Sequence, residues 1–287
     1  MADLWSWLSE PYQFAFMQRA LMALVIVSIV SSVIGAFVVL KGLAFIGDAV
    51  AHASFAGVAA AFVMGASIYI GAVVAGVLTA LAIAFVSRRA RLSFDTSIGI
   101  IFVGAFALGI VIISRENRYT VDLFSFIFGS ILGVGRDDLL LIAVVGLIVV
   151  GLIAIFYKEL LYTSYDATMA AASGIPVALM QYGLLALLAL SAVVALKVVG
   201  IVLVVAMLVT PAATASLLVR RVPLVMLLGA LVGIVASTVG LYISYYAEVA
   251  SGASVVLVAT ALFALALVFA PRRGLLATWT QVPAGQL

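Results

Sequence analysis

Long apolar runs separated by short polar stretches dominate the chain. Runs long enough to cross a bilayer, which takes about 20 apolar residues, lie at about 14–40, 68–86, 96–114, 139–157, 176–196, 198–219, 224–246 and 254–270. Each predicts a membrane-spanning helix. A further stretch at 43–64 is long enough but carries Asp48 and His52, so the count stands at eight or nine crossings. Leu123 to Val134 is apolar over only about a dozen residues, well short of a crossing, and predicts a re-entrant or interfacial element. The expected fold is all-α and polytopic, a single membrane domain over residues 1–287 with no room for a soluble one.

Composition agrees with this pattern. Of 287 residues, 67% are apolar and 9% are charged, against roughly a quarter charged in an ordinary soluble domain. A soluble globular enzyme is excluded. The net charge of +3 is small and scattered, which argues against nucleic acid as a partner. The absence of cysteine removes disulfides, thiolate metal sites and cysteine nucleophiles. Residues 1–16 show neither a basic n-region nor a small-residue cleavage site and are not expected to form a signal peptide. Trp5, Trp7 and Tyr12 instead predict an amphipathic stretch at the membrane surface.

Basic residues near crossing ends set orientation, because Lys and Arg are retained on the cytoplasmic side. Arg88, Arg89, Arg91, Lys158, Arg220, Arg221, Arg272 and Arg273 fall on one face if 123–134 does not cross. Arg115, Arg118, Arg136 and Lys197 fall on the other, partly balanced by Glu116, Asp122, Asp137 and Asp138. The C-terminus is therefore expected in the cytoplasm, and the N-terminus outside if there are nine crossings or inside if there are eight. Gly71, Gly76, Gly229, Gly233 and Gly240 are read as packing residues, since small side chains let helices approach closely in lipid.

Three features could carry chemistry. Asp48 and His52, the latter the sole histidine, are four residues apart and share one helix face. A carboxylate at membrane depth costs about 2.5–3.5 kcal/mol, so it normally faces a partner or an aqueous path. Carboxylate oxygen beside imidazole nitrogen suits manganese, iron or zinc. One chain supplies two such ligands where a transition metal takes four to six, and a twofold dimer would double the set. The alternative is an Asp–His hydrogen bond that only fastens two helices. The second feature is the polar connection Lys158 to Ile175, in which Asp166, Ala170 and Gly174 recur every four residues, so that a short helix would carry them on one face, with Gly174 able to end it. It could dock in a partner's groove or be an ordinary interfacial turn. The third is Thr210-Pro211 inside an apolar span, where proline removes a backbone hydrogen bond and predicts a kink, serving either as a gate or as packing.

A phosphate-binding loop needs Gly-Lys followed by Ser or Thr, and Lys41, Lys158 and Lys197 follow Leu40, Tyr157 and Leu196. The chain cannot hydrolyse ATP by that route. An intramembrane hydrolase is weakly supported with one histidine and no Gly-x-Ser-x-Gly elbow. An ion-coupled secondary transporter would be expected to show inverted repeats and more buried relay groups.

With these residues in view, the chain resembles the membrane permease subunits of ABC importers for manganese, zinc and iron. The likeness rests on Gly47-Asp48-Ala49 with His52 and Gly57, on 95–100 (Asp95-Thr96-Ser97-Ile98-Gly99-Ile100), on Asp122-Leu123-Phe124 with Phe128-Gly129-Ser130-Ile131-Leu132, and on Pro211-Ala212-Ala213-Thr214-Ala215. The stretches 204–215 and 163–166 resemble the manganese type more than the zinc type. The resemblance implies a homodimeric channel in the bacterial cytoplasmic membrane, fed by an extracytoplasmic metal-binding protein and driven by two cytoplasmic ATP-binding subunits. It implies no permanently bound cofactor, a divalent cargo of Mn2+ with Zn2+ or Fe2+ as alternatives, and no catalysis by this chain. Asp48 and His52 match the positions proposed for the ion in transit, 166–174 resembles a coupling helix, and 123–134 would fit a region near the path.

Overall fold

The computed structural model describes residues 10–114 and 131–270. Among them are nine helices long and apolar enough to cross a membrane. They are α1 (Ala15–Lys41), α2 (Ile46–Val63), α3 (Ile68–Ala90), α4 (Phe94–Ile113), α5 (Arg136–Ile155), α8 (Val177–Val199), α9 (Ile201–Leu218), α10 (Val222–Ala247) and α11 (Ser251–Phe269), with the short α6 (Tyr157–Tyr165) and α7 (Ala167–Ala172) between α5 and α8. The stretch at 43–64 is thus a full-length helix despite its two polar residues, which resolves the count at nine among the described residues. Trp5, Trp7, Arg115, Glu116, Arg118, Asp122, Arg272, Arg273 and residues 123–130 lie outside the described residues. Of the short apolar stretch, Ile131–Gly133 form a 3-10 turn whose Ile131 is buried. Tyr12, expected at the membrane surface, belongs to a 3-10 turn (Glu10–Gln13) and meets the edge of the Tyr242 ring at a centroid distance of 5.4 Å.

Helix ends follow local chemistry. Gly42 closes α1 with a left-handed φ of 67°. Ser93 caps α4 by accepting the Thr96 N–H, and the Asp138 carboxylate accepts the Gly135 N–H at the start of α5. Side-chain contacts between ends fix which ends lie together. Lys41 donates to the Thr163 carbonyl and Arg88 to the Gln181 side chain, so Lys41, Arg88, Arg89, Arg91, Lys158, Arg220 and Arg221 gather at one end of the bundle. At the other end Lys197 at the close of α8 pairs with Asp138 of α5 and lies 3.9 Å above the Tyr69 ring of α3. An alternating path through nine helices accounts for all these pairings. With the basic end in the cytoplasm, the N-terminus of the described chain lies outside.

Helices in lipid gain no hydrophobic drive from meeting one another, so close backbone approach and hydrogen bonds hold them. All five glycines singled out from the sequence lie at such contacts. Ser32 donates to the Met226 carbonyl and Ser28 reaches Ser237 at 3.4 Å, joining α1 to α10 where Gly229 and Gly233 leave room. The tightest crossing joins α2 and α3. A Cβ on Gly57 would stand 2.0 Å from the Gly71 carbonyl oxygen, and one on Gly71 would stand 2.3 Å from that of Gly57. Neither backbone can yield to a side chain without the helices parting. Gly57→Val is therefore expected to lower stability by at least about 1–3 kcal/mol, read as a fall in the thermal midpoint of the solubilised protein, whereas the same change at Gly183, which has nothing within 4 Å, leaves it unchanged.

Candidate metal site

The polar pair sits on α2, a helix in which ten of the 18 residues are Gly, Ala or Ser, packed against α3, α4, α8 and α9. Its depth follows from its neighbours. Gly47 faces the Leu208 side chain, so closely that a Cβ would come within 2.6 Å, and Leu208 is the eighth of the 18 residues of α9. Asp48 thus lies near the middle of the bundle rather than at its rim. Asp48 also falls in the first turn of α2. The unpaired N–H groups there carry the positive end of the helix dipole, which favours a carboxylate in that position.

The sequence spacing is realised as direct contact. His52 Nδ1 lies 3.2 Å from Asp48 Oδ1 and 3.0 Å from the Asp48 carbonyl oxygen. Both oxygens only accept, so the neutral ring carries its proton on Nδ1 and donates it to Asp48. Nε2 is left with its lone pair, and no hydrogen bond engages it among the described residues. A histidine whose far nitrogen donates to a carboxylate is the arrangement that orients imidazole ligands and raises their basicity toward metals. Side-chain exposure is 32% for His52 and 41% for Asp48. Two polar groups that open at this depth cannot be left against lipid, so the face of α2 that carries them is one that another surface or an aqueous path must cover.

No group of three or more His, Asp or Glu side chains gathers among the described residues. One chain can therefore offer Nε2 of His52 and the free oxygen of Asp48, an incomplete set for a transition metal. The opposite wall is aromatic. Phe102 and Phe106 of α4 meet the His52 ring edge to face at centroid distances of 5.6 and 5.9 Å. Composition gave no sign of them, because phenylalanine in an apolar span reads as lipid-facing or packing. The one clue was their spacing of four, which places both on a single face of α4.

The other two features lie elsewhere. Asp166 is the N-cap of α7, accepting the N–H groups of Thr168 and Met169 at 2.9 Å each. Ala170 points inward and is fully buried, and Gly174 adopts φ of 82° after the helix. The recurrence every four residues thus records a cap, a packed contact and a left-handed turn rather than three positions on one helix face. The exposed side of α7 carries Thr168, Met169 and Ala172. Pro211 is buried within α9, which continues through it, and Thr214 donates to the Thr210 carbonyl at 2.7 Å. No hydrogen bond or ion pair joins Thr210 or Pro211 to the polar pair among the described residues. The Pro211 carbonyl faces Gly229 of α10.

Comparison with known proteins adds an independent line. A family model described as the ABC 3 transport family matches residues 13–270. The "Manganese transport system membrane protein MntC" of Halalkalibacterium halodurans is 48% identical over 276 residues, covering 96% of this chain and 94% of that protein. The "Manganese import system permease protein ScaB" of Streptococcus gordonii is 39% identical over 262 residues, 91% of this chain and 94% of that one. Among solved structures, a chain of "PsaBC from Streptococcus pneumoniae in complex with Fab" superposes with a TM-score of 0.82 at 39% identity, covering 94% of this chain and 97% of its own.

The seating of α4 on α2 depends on Gly109, whose Cβ would stand 2.9 Å from the Ala56 Cα. Gly109→Val is expected to push α4 away and bare the imidazole. Because His52 is the sole histidine, carbethoxylation by diethyl pyrocarbonate reads it alone, and the variant should react several times faster than the parent protein.

Proposed function

The chain belongs to the ABC 3 transport family, and from that premise we propose that it is the membrane permease of an ATP-driven importer carrying a divalent transition metal, Mn2+ foremost, into the cytoplasm. It is a multi-pass membrane protein and a transport subunit. The observation that carries the metal reading is the Asp48–His52 contact at mid-depth on α2, with Nε2 free and both side chains open. Two copies facing one another would bring two carboxylates and two imidazoles to one ion, a mixed oxygen and nitrogen set that suits Mn2+ and also accepts Fe2+ or Zn2+. No thiolate is on offer, since the chain has no cysteine. A site of few ligands that forms across a moving interface holds its ion weakly, as conduction requires.

The energy would come from cytoplasmic ATP-binding subunits, two per dimer, with an extracytoplasmic protein delivering the ion. Support lies in the family and in the form of the basic end, where α6 and α7 project between α5 and α8 as two short helices. Movement of an ATPase against α7 would be passed to α8 through the turn at Gly174 and Pro176 and to α1 through the Lys41 to Thr163 hydrogen bond. Thr210 and Pro211 would then serve α9 as a bend point near the path.

Two experiments test these roles. Asp48→Ala and His52→Ala should each cut uptake of radioactive manganese by more than the ~10–100-fold that loss of a group merely orienting a ligand costs, with the protein still in the membrane and its ATPase still co-purifying. Added Mn2+ should also slow carbethoxylation of His52 in the parent protein, and normal uptake by both variants would remove the site. For the coupling segment, Met169→Asp places a charge on the exposed face of α7, where Met169 is 55% exposed. Co-purification of the ATPase and uptake should both fall, while Mn2+ protection of His52 persists.

A further inference from the structure

The imidazole of His52 is held from two directions. Asp48 fixes its Nδ1 edge through the carboxylate at 3.2 Å and the carbonyl at 3.0 Å. On another side, Phe102 and Phe106 stand at interplanar angles of 72° and 78° to the ring. The two phenylalanines lie one helical turn apart and are close to parallel, 6.3 Å between centroids at 30°, and Phe55 backs Phe106 at 5.7 Å. A histidine ring anchored at one nitrogen alone can still swing about its last torsion, which is broad for this side chain. A ring that also packs edge to face against two aromatics has one favoured plane. Neither phenylalanine has an atom that can bind a cation as a ligand, and both act on the ring rather than on the ion.

From this geometry we infer that Phe102 and Phe106 of α4 are positioning residues that hold His52 in one ring plane, so that Nε2 is aimed at the ion without reorganisation when it arrives. The inference rests on the metal-site reading above and goes further by assigning α4 a part in it. The phenyl pair also covers part of the imidazole, and the 32% of the side chain that stays exposed is where an ion is exchanged. An ordered ligand that needs no rotation binds at a lower concentration of ion, whereas the rate of the transport cycle is set by the moving subunits. Removing the clamp should therefore raise KM and leave the maximal rate alone.

The test compares manganese uptake by cells expressing the permease with its ATPase and its extracytoplasmic delivery protein, the last two at fixed levels. The pair Phe102→Leu with Phe106→Leu keeps apolar bulk but removes both rings, and should raise KM about 10-fold, the lower end of the loss seen when groups that orient metal ligands are removed, with maximal rate held within about twofold. Phe102→Tyr with Phe106→Tyr keeps the ring faces and should restore the parent KM. The leucine pair should also speed carbethoxylation of His52, a readout that needs no metal. An unchanged KM in the leucine pair, or a fall in maximal rate at unchanged KM, overturns the inference. If the leucine pair does not reach the membrane, Phe102→Leu alone is measured by the same criteria. His52→Ala run beside them separates the two levels: normal uptake by that variant sinks the metal site, whereas lost uptake with a parental KM in the leucine pair sinks only the clamp.

Discussion

A carboxylate in the middle of a hydrocarbon layer is tolerated only if something there repays its lost hydration. Asp48 meets that condition in three ways. It lies in the first turn of α2, where the helix dipole favours negative charge, it accepts from His52, and it stands on a face left open rather than sealed against its neighbours. The first two reduce the cost of keeping the charge at mid-depth. The third means that the remaining cost is met from outside the single chain. The rest of the fold can be understood as the means of setting α2 in that place.

That placement is achieved by subtraction of side chains. Gly57 and Gly71 bring α2 and α3 into backbone contact, Gly109 lets α4 ride on Ala56, and Gly47 admits the Leu208 side chain of α9. Each glycine removes a Cβ that would otherwise set the spacing between two helices. Because lipid offers no hydrophobic reward for helix association, closeness itself supplies the dispersion contacts that hold the bundle. The Ser32 and Ser28 contacts between α1 and α10 add directional bonds to the same plan.

The spans were legible because twenty apolar residues in a row, in a chain this poor in charge, suit a bilayer crossing and little else. The stretch at 43–64 resisted a firm reading for the same reason that it matters: Asp48 and His52 lower its hydropathy. Their contact was legible from a spacing of four, but the aromatic wall was not, since the same spacing puts Phe102 and Phe106 on one face of α4 without marking that face as the one that meets His52. The pattern of Asp166, Ala170 and Gly174 misdirected in part. A period of four correctly marked a helix, yet a six-residue helix is mostly ends, so its outer members served as cap and turn and only Ala170 was packed. Side-chain orientation in so short an element is decided by tertiary contact, which the local pattern does not encode.

The knot of Lys197, Asp138 and Tyr69 ties the outer ends of α8, α5 and α3 together. Its mechanical meaning is that of a fulcrum. Three rods pinned at one end move little there and most at the other, and a helix of 20 residues is a lever about 30 Å long. A tilt of about 10° about the pin carries its free tip roughly 5 Å, the rise of nearly one helical turn. The tip of α3 that carries Arg88 and Arg89, the Val177 end of α8 and the end of α5 that leads into α6 are the ones that would travel.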